Sequence, residues 1–80
     1  MQPDQLVKVF AANVRHRRAE LRLSQIALAK RAGIPQPDIS DMERGSRSPN
    51  LSTIAKLADA LEVSPSFLLS GIATPVSVGE

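Results

Sequence analysis

The segment that decides the fold is SQIALAKRAGIPQPDISDMERG, residues 24–45. It contains two stretches with the apolar spacing of short helices, one on each side of Gly33. Ser24 can accept a hydrogen bond from the free N–H groups of the first stretch, and Gly33 can adopt the left-handed conformation that ends a helix. The second stretch opens with Pro35 and Pro37, which a helix tolerates in its first turn because N–H groups there have no helical partner. The segment therefore predicts a helix, a tight turn, and a second helix that begins at or between the two prolines.

The inner faces of these two helices are small and apolar. The residues that fall where a close helix pair needs apolar, small or turn-forming side chains are Leu28, Ala29, Ala32, Gly33, Ile34, Ile39 and Met42. Ala29 is placed where the helices cross, and a larger side chain would separate them. Gly45 then closes the second helix. Two short helices joined by a glycine turn describe a helix-turn-helix.

Three further helices are predicted around this pair. The first lies between Asp4 and Leu23, with an apolar stripe of Leu6, Val7, Phe10, Val14 and Leu21. After a turn-rich connector, Asn50 caps a helix whose apolar face is Leu51, Ile54, Leu57, Ala58 and Leu61. A short fifth helix, capped by Ser64 and begun by Pro65, packs through Phe67 and Leu68. No strand pattern competes, so the predicted fold class is all-α, with a domain at residues 4–70 and a flexible tail at residues 71–80.

Length and composition favour one small soluble domain in the cytoplasm. The chain has 80 residues and no cysteine, which suits a reducing compartment, and no signal peptide or membrane segment is predicted. The net charge is only +2, but residues 1–47 hold nine Lys and Arg against five acids, whereas residues 48–80 hold one against three. The basic half suits a polyanion or a solvated helix face, and it includes the cluster Arg15, His16, Arg17, Arg18 and Arg22.

Two longer stretches carry an ordered set of short motifs: RRAELRLSQIALAKRAGI and, after it, ISDMERGSRSPNLSTIAKLADALEVSPSFLL. Through the order SQ, LA, AG, IS, ERG, P, LAxAL and VS, the chain resembles the Cro and lambda-repressor-like family of bacterial and phage regulators. The resemblance covers about residues 7–69. It implies a compact five-helix DNA-binding domain that binds double-stranded DNA as a homodimer, with the third helix in the major groove.

The resemblance also implies roles for individual residues. Positions that face base edges in the family match Gln36, Pro37 and Asp41. Positions that contact or lie beside the DNA backbone match Gln25, Ser40, Arg44 and Arg47, and Gln25 also braces the third helix. Arg18 and Glu43 match a structural ion pair across the domain. The chain departs from the family pattern at Pro35, Pro37 and Ile26, where polar side chains are usual.

Each base-facing residue has an alternative role. Gln36 can bind adenine through its amide or remain solvated at the start of the helix, and base contact is favoured. Asp41 can accept from cytosine or pair with a neighbouring arginine. Pro37 can offer only apolar contact, to a thymine methyl for example, and its favoured role is to initiate the helix. For Ser40, packing against a neighbouring helix competes with phosphate contact.

Catalysis and metal chemistry are not indicated. Asp38 and Asp41 lie one helical turn apart, but no histidine partner or ligand set accompanies them, and His16 has no second histidine or cysteine nearby. The prediction is a DNA-binding transcriptional regulator without enzyme activity, metal or cofactor. The main alternative is an antitoxin of a toxin–antitoxin pair that binds a protein partner through its tail, and a small enzyme is a second alternative.

Overall fold

The computed structural model describes residues 2–70, which contain five α-helices and no strand. In chain order the helices are α1 (Pro3–Glu20), α2 (Gln25–Ala32), α3 (Gln36–Glu43), α4 (Leu51–Ala60) and α5 (Pro65–Leu69). The all-α prediction is therefore confirmed, and the helix boundaries lie close to those indicated by the capping residues. The predicted tail, residues 71–80, lies outside the described residues.

Three of the helices begin at the polar side chains that the sequence indicates. The Ser24 hydroxyl accepts from the Ala27 N–H at 2.9 Å, and the Asn50 amide oxygen accepts from the Thr53 N–H at 2.8 Å. The Ser64 hydroxyl accepts from the Phe67 N–H at 3.3 Å. Each contact satisfies an N–H group that would otherwise lack a partner at the start of its helix, so these boundaries depend on local bonds.

The turn between α2 and α3 has the geometry expected of its glycine and prolines. Gly33 lies at φ 70° and ψ 36°, and the following Ile34 N–H donates to the Ala29 carbonyl at 3.0 Å. Pro35 precedes α3 in an extended conformation with ψ 139°, and α3 begins at Gln36, between the two prolines. Because Pro37 lies in the first turn, its missing N–H removes no helical hydrogen bond.

The core forms where α1 packs against α3 and α5, while α2 packs against α3 and α4. The largest apolar side chains with 0–1% exposure are Phe10, Val14, Leu28, Ile39, Leu57, Leu61 and Leu68. Ala29 is 7% exposed at the close approach of α2 and α3. Thus α1 packs against α3 and α4 packs against α2 on the core side of the helix-turn-helix, and the opposite face of α3 is exposed to solvent.

Two predicted core residues are exposed instead. Leu6 is 38% exposed and Leu51 is 81% exposed, because each lies in the first turn of its helix, where the apolar periodicity extends beyond the core. Asn13 is buried at 1% exposure although the sequence analysis did not select it. Its Nδ2 donates to the carbonyls of Leu68 and Ser70 at 2.9 and 2.8 Å, which anchors the end of α5 to α1.

No helix within residues 2–70 is long and apolar enough to cross a bilayer.

Candidate nucleic-acid interface

Arg18 and Glu43 join α1 to the end of α3. Arg18 Nε donates to Glu43 Oε2 at 2.6 Å and Nη2 donates to Oε1 at 2.9 Å, while Nη1 donates to the Leu23 carbonyl at 2.8 Å. Glu43 is only 3% exposed and the Arg18 side chain is 21% exposed. The hydrogen bond to Glu43 raises the pKa of Arg18 above its ordinary value, against the opposing effect of partial burial. The pair holds α3 against α1.

Two glutamine side chains connect this ion pair to the start of α3. Gln25 Nε2 donates to Glu43 Oε1 at 3.0 Å, and Gln25 Oε1 accepts from Gln36 Nε2 at 2.9 Å. The contact leaves Gln36 with one N–H and its amide oxygen, which together make the donor and acceptor that bidentate contact with adenine requires. Gln25 thus orients Gln36 while the base-reading groups of Gln36 remain available.

Asp41, Ser40 and Arg44 form one cluster on the exposed side of α3. Arg44 Nη1 donates to the Ser40 hydroxyl at 2.7 Å, and Arg44 Nη2 pairs with Asp41 Oδ1. The side chains of Arg44 and Asp41 are 62% and 40% exposed. Asp41 thus takes the second of the two roles that its sequence position allows, since it pairs with Arg44.

Arg47 pairs with Asp38 across the loop that follows α3. Arg47 Nη1 lies 2.6 Å from Asp38 Oδ1, and the two side chains are 50% and 30% exposed. A cavity of about 100 Å³ lies beneath the pair, between α3, this loop and the start of α4. No sequence pattern predicted this ion pair, because Asp38 and Arg47 are nine residues apart, which is not a helical spacing.

The apolar departures from the family pattern lie on the surface. Pro35 and Pro37 are exposed, and Ile26 is 60% exposed beside the turn. Ile26, Pro35 and Gln36 line one side of an open depression next to the start of α3. Ile26 and Pro35 can offer only apolar contact, whereas Gln36 can also donate a hydrogen bond.

Two arginines of the basic cluster bind backbone carbonyls of other helices. Arg17 Nε donates to the Leu61 carbonyl at 2.9 Å, and Arg15 Nη1 donates to the backbone carbonyl of Glu43. Arg15 therefore attaches α1 to the carbonyl end of α3, and Arg17 attaches it to the carbonyl end of α4. Since hydrogen bonds to carbonyls at helix ends satisfy groups that lack helical partners, the cluster has a structural use that its charge pattern alone did not reveal.

Residues 2–70 contain no group of three or more His, Cys, Asp or Glu side chains arranged to hold a metal ion. His16 lies 3.4 Å from Glu20 on the surface of α1. Asp38 and Asp41 are each engaged with a different arginine rather than with each other. The exposed side of α3 thus carries hydrogen-bonding side chains and arginines that are paired with aspartates.

The five helices and the open face of α3 define a helix-turn-helix domain. A family model described as Helix-turn-helix matches residues 14–68, and the chain belongs to this family.

Three relatives illustrate the similarity. Repressor protein C2 of Salmonella phage P22 is 36% identical over 64 residues, which cover 80% of this chain and 30% of that protein. A crystal structure of the P22 c2 repressor in complex with a synthetic operator has a TM-score of 0.73 and 37% identity, and the match covers 78% of this chain and 94% of that one. The restriction-modification controller protein C.AhdI from Aeromonas hydrophila has a TM-score of 0.75 and 35% identity, with the same coverage. Antitoxin HigA1 of Mycobacterium tuberculosis is 42% identical over 45 residues, which are 56% of this chain and 30% of that protein.

The chain spans 30% to 54% of the length of the first curated relatives that it matches. The similarity therefore concerns the helix-turn-helix part of those longer proteins.

Proposed function

We propose that this chain is a transcriptional regulator that binds an operator in double-stranded DNA as a homodimer, with α3 in the major groove. The observation that carries the proposal is the hydrogen bond from Gln36 to Gln25, at 2.9 Å, on the exposed side of the helix-turn-helix. It holds an amide in a defined orientation at the first residue of α3, where a recognition helix presents its N-terminal residues to base edges. The P22 c2 repressor, similar over 78% of this chain, was solved with a synthetic operator.

The proposed contacts divide into two groups. Gln36 would contact adenine, and Pro37, whose favoured role is to begin α3, would offer only apolar contact, to a thymine methyl. Gln25, Ser40, Arg44 and Arg47 would lie along the sugar-phosphate backbone, where they position α3 without reading sequence. The pairing of Asp41 with Arg44 favours an indirect role for Asp41 over cytosine recognition.

The homodimer is proposed to form through α4 and α5, together with residues 71–80. Leu69, at the end of α5, is 36% exposed although the neighbouring Leu68 is fully buried, so this edge of the domain presents apolar surface. A symmetric dimer would place two copies of α3 on a palindromic site with half-sites one helical turn apart.

Selection of bound sequences from random DNA duplexes tests the proposal. We expect a palindromic site. The Gln36→Ala variant should lose the preference at one base pair of each half-site, at a cost of about 1–3 kcal/mol on the selected site. Arg44→Ala and Arg47→Ala serve as matched variants, because loss of a phosphate contact weakens binding to every sequence about equally. Recovery of no enriched sequence by the unaltered chain would contradict the proposal.

A second candidate is an antitoxin that binds a toxin as well as DNA, and the similarity to HigA1 supports it. In this case a protein from the neighbouring gene would co-purify with the chain and would be released when residues 71–80 are removed. The relatives named above are regulators and an antitoxin, which are non-enzymatic classes. Activity inside the cytoplasm, where operator DNA lies, is part of the same proposal.

A further inference from the structure

The segment that would face DNA carries almost no free positive charge. Between Gln36 and Arg47 there are three acids and two arginines, a net charge of −1. Glu43 is paired with Arg18 of α1. Of the remaining charges, Asp41 neutralises Arg44 and Asp38 neutralises Arg47. A surface that binds a polyanion usually carries an excess of free cations, and here each candidate phosphate-binding arginine already has a carboxylate partner.

Exposure separates these two pairs from the structural pair. Glu43 is 3% exposed, whereas Asp41 and Asp38 are 40% and 30% exposed and their arginine partners are 62% and 50% exposed. Exposed ion pairs contribute little to folding stability, because water and salt already screen both charges. The two outer pairs are therefore weak enough to exchange partners, which the buried pair is not.

A DNA phosphate and an aspartate carboxylate offer an arginine the same kind of acceptor. Both are anionic oxygen groups that bind a guanidinium through charge-assisted hydrogen bonds. Arg44 and Arg47 would have to leave or share their carboxylate partners to bind phosphate, so part of the binding free energy is offset by the lost internal pair. After the exchange the aspartates also remain close to the DNA as uncompensated negative charges.

We propose that Asp38 and Asp41 are internal competitors for Arg47 and Arg44, and that they set the strength and the salt dependence of DNA binding without reading sequence. This inference rests on the proposed function, since it concerns the same face of α3. It assigns Asp41 to the control of affinity rather than to cytosine recognition, and it gives Asp38 a role in binding that its position in the first turn did not suggest.

The test measures the dissociation constants of the Asp41→Asn and Asp38→Asn variants of residues 1–80 on two labelled duplexes of about two helical turns, as a function of salt. One duplex carries the sequence selected by the unaltered chain, and the other is a random-sequence pool. We expect each variant to bind both duplexes about 1.5- to 5-fold more tightly, the range expected for release of an exposed ion pair. The slope of log affinity against log salt should steepen by up to about one unit. Asp4→Asn is the matched control, because it changes the net charge equally. Asp4 is exposed in the first turn of α1, away from α3 and from the proposed α4–α5 dimer surface, and it takes part in none of the ion pairs found among residues 2–70.

A double-mutant cycle separates competition from simple repulsion. In an Arg44→Gln background the tightening caused by Asp41→Asn should fall to less than half, because no arginine remains to be released. The equivalent background for Asp38→Asn is Arg47→Gln. Tightening of equal size with and without the partner arginine would overturn the inference, as would tightening no greater than that of Asp4→Asn. So would weaker binding confined to the selected duplex, which would restore Asp41 as a base reader. If the unaltered chain bound neither duplex, the proposed function would fail and the inference with it.

Discussion

Replacing Arg18 with methionine is expected to destabilise the domain by about 3 kcal/mol. The change removes both hydrogen bonds from the guanidinium to Glu43, at 2.6 and 2.9 Å, and leaves the Glu43 carboxylate with the amide of Gln25 as its remaining side-chain donor. Breaking a buried ion pair by removing one partner typically costs about 3–5 kcal/mol. We take the lower end because Arg18 is 21% exposed, so water can reach the vacated position.

The assay is urea denaturation monitored by far-UV circular dichroism. The protein concentration is held fixed, because the stability of a dimer depends on concentration through mass action. For a domain of this size, a loss of about 3 kcal/mol corresponds to a melting temperature lower by roughly 12–24 °C. Arg17→Met is a matched control. Arg17 is 24% exposed on the same helix and also donates to a backbone carbonyl, but its carboxylate partner, Glu20, is 47% exposed, so we expect a loss of about 1 kcal/mol.

The double variant Arg18→Met, Glu43→Leu distinguishes an unpaired charge from lost packing. It should recover much of the stability, because an apolar pair of similar volume leaves no carboxylate buried without a partner. This variant also keeps the test decisive if Arg18→Met alone does not fold. Equal unfolding midpoints for Arg18→Met and the unaltered chain would refute the reasoning, as would a double variant no more stable than the single one.

Three further predictions concern the fold and the dimer. Asn13→Ala should destabilise the domain by about 2 kcal/mol, measured by urea denaturation, since the carbonyls at the end of α5 lose their buried donor. Gly33→Ala should destabilise the domain by about 1 kcal/mol in the same assay, because Gly33 lies at φ +70°. An added Cβ meets nothing within 4 Å, so the loss comes from backbone conformation alone. A loss above about 3 kcal/mol would disprove this account. Sedimentation should show a concentration-dependent dimer that Leu69→Glu weakens by about tenfold or more, whereas Ile26→Glu, an exposed apolar residue outside α4 and α5, should leave the dimer constant unchanged. Equal dimer constants for the Leu69→Glu and Ile26→Glu variants would place the interface away from the end of α5. An unchanged dimer constant after removal of residues 71–80 would confine the interface to the helices.

Local chemistry was sufficient to predict most of the fold. The caps at Ser24, Asn50 and Ser64 each bond to an N–H group three residues further along the chain, so their partners are determined by the sequence itself. The left-handed turn at Gly33 and the start of α3 beside Pro35 also depend on the conformational limits of single residues. The apolar spacing identified the core residues of α2 and α3 for the same reason, since both helices are short and one face of each is buried.

Tertiary structure decided which charged and polar groups meet. Arg18 and Glu43 were paired from the resemblance to a family, while no helical spacing connects Asp38 with Arg47, or Asn13 with the end of α5, 57 residues away. Leu51 shows the same limit for apolar residues: its spacing fits the buried face of α4, yet it is 81% exposed because the core ends before the first turn of that helix. Periodicity and capping act within a few residues, whereas the partner of a long side chain depends on how separate helices pack. The sequence alone therefore determined the helices and the turn, and only their packing decided which arginines hold the fold together and which remain exposed beside α3.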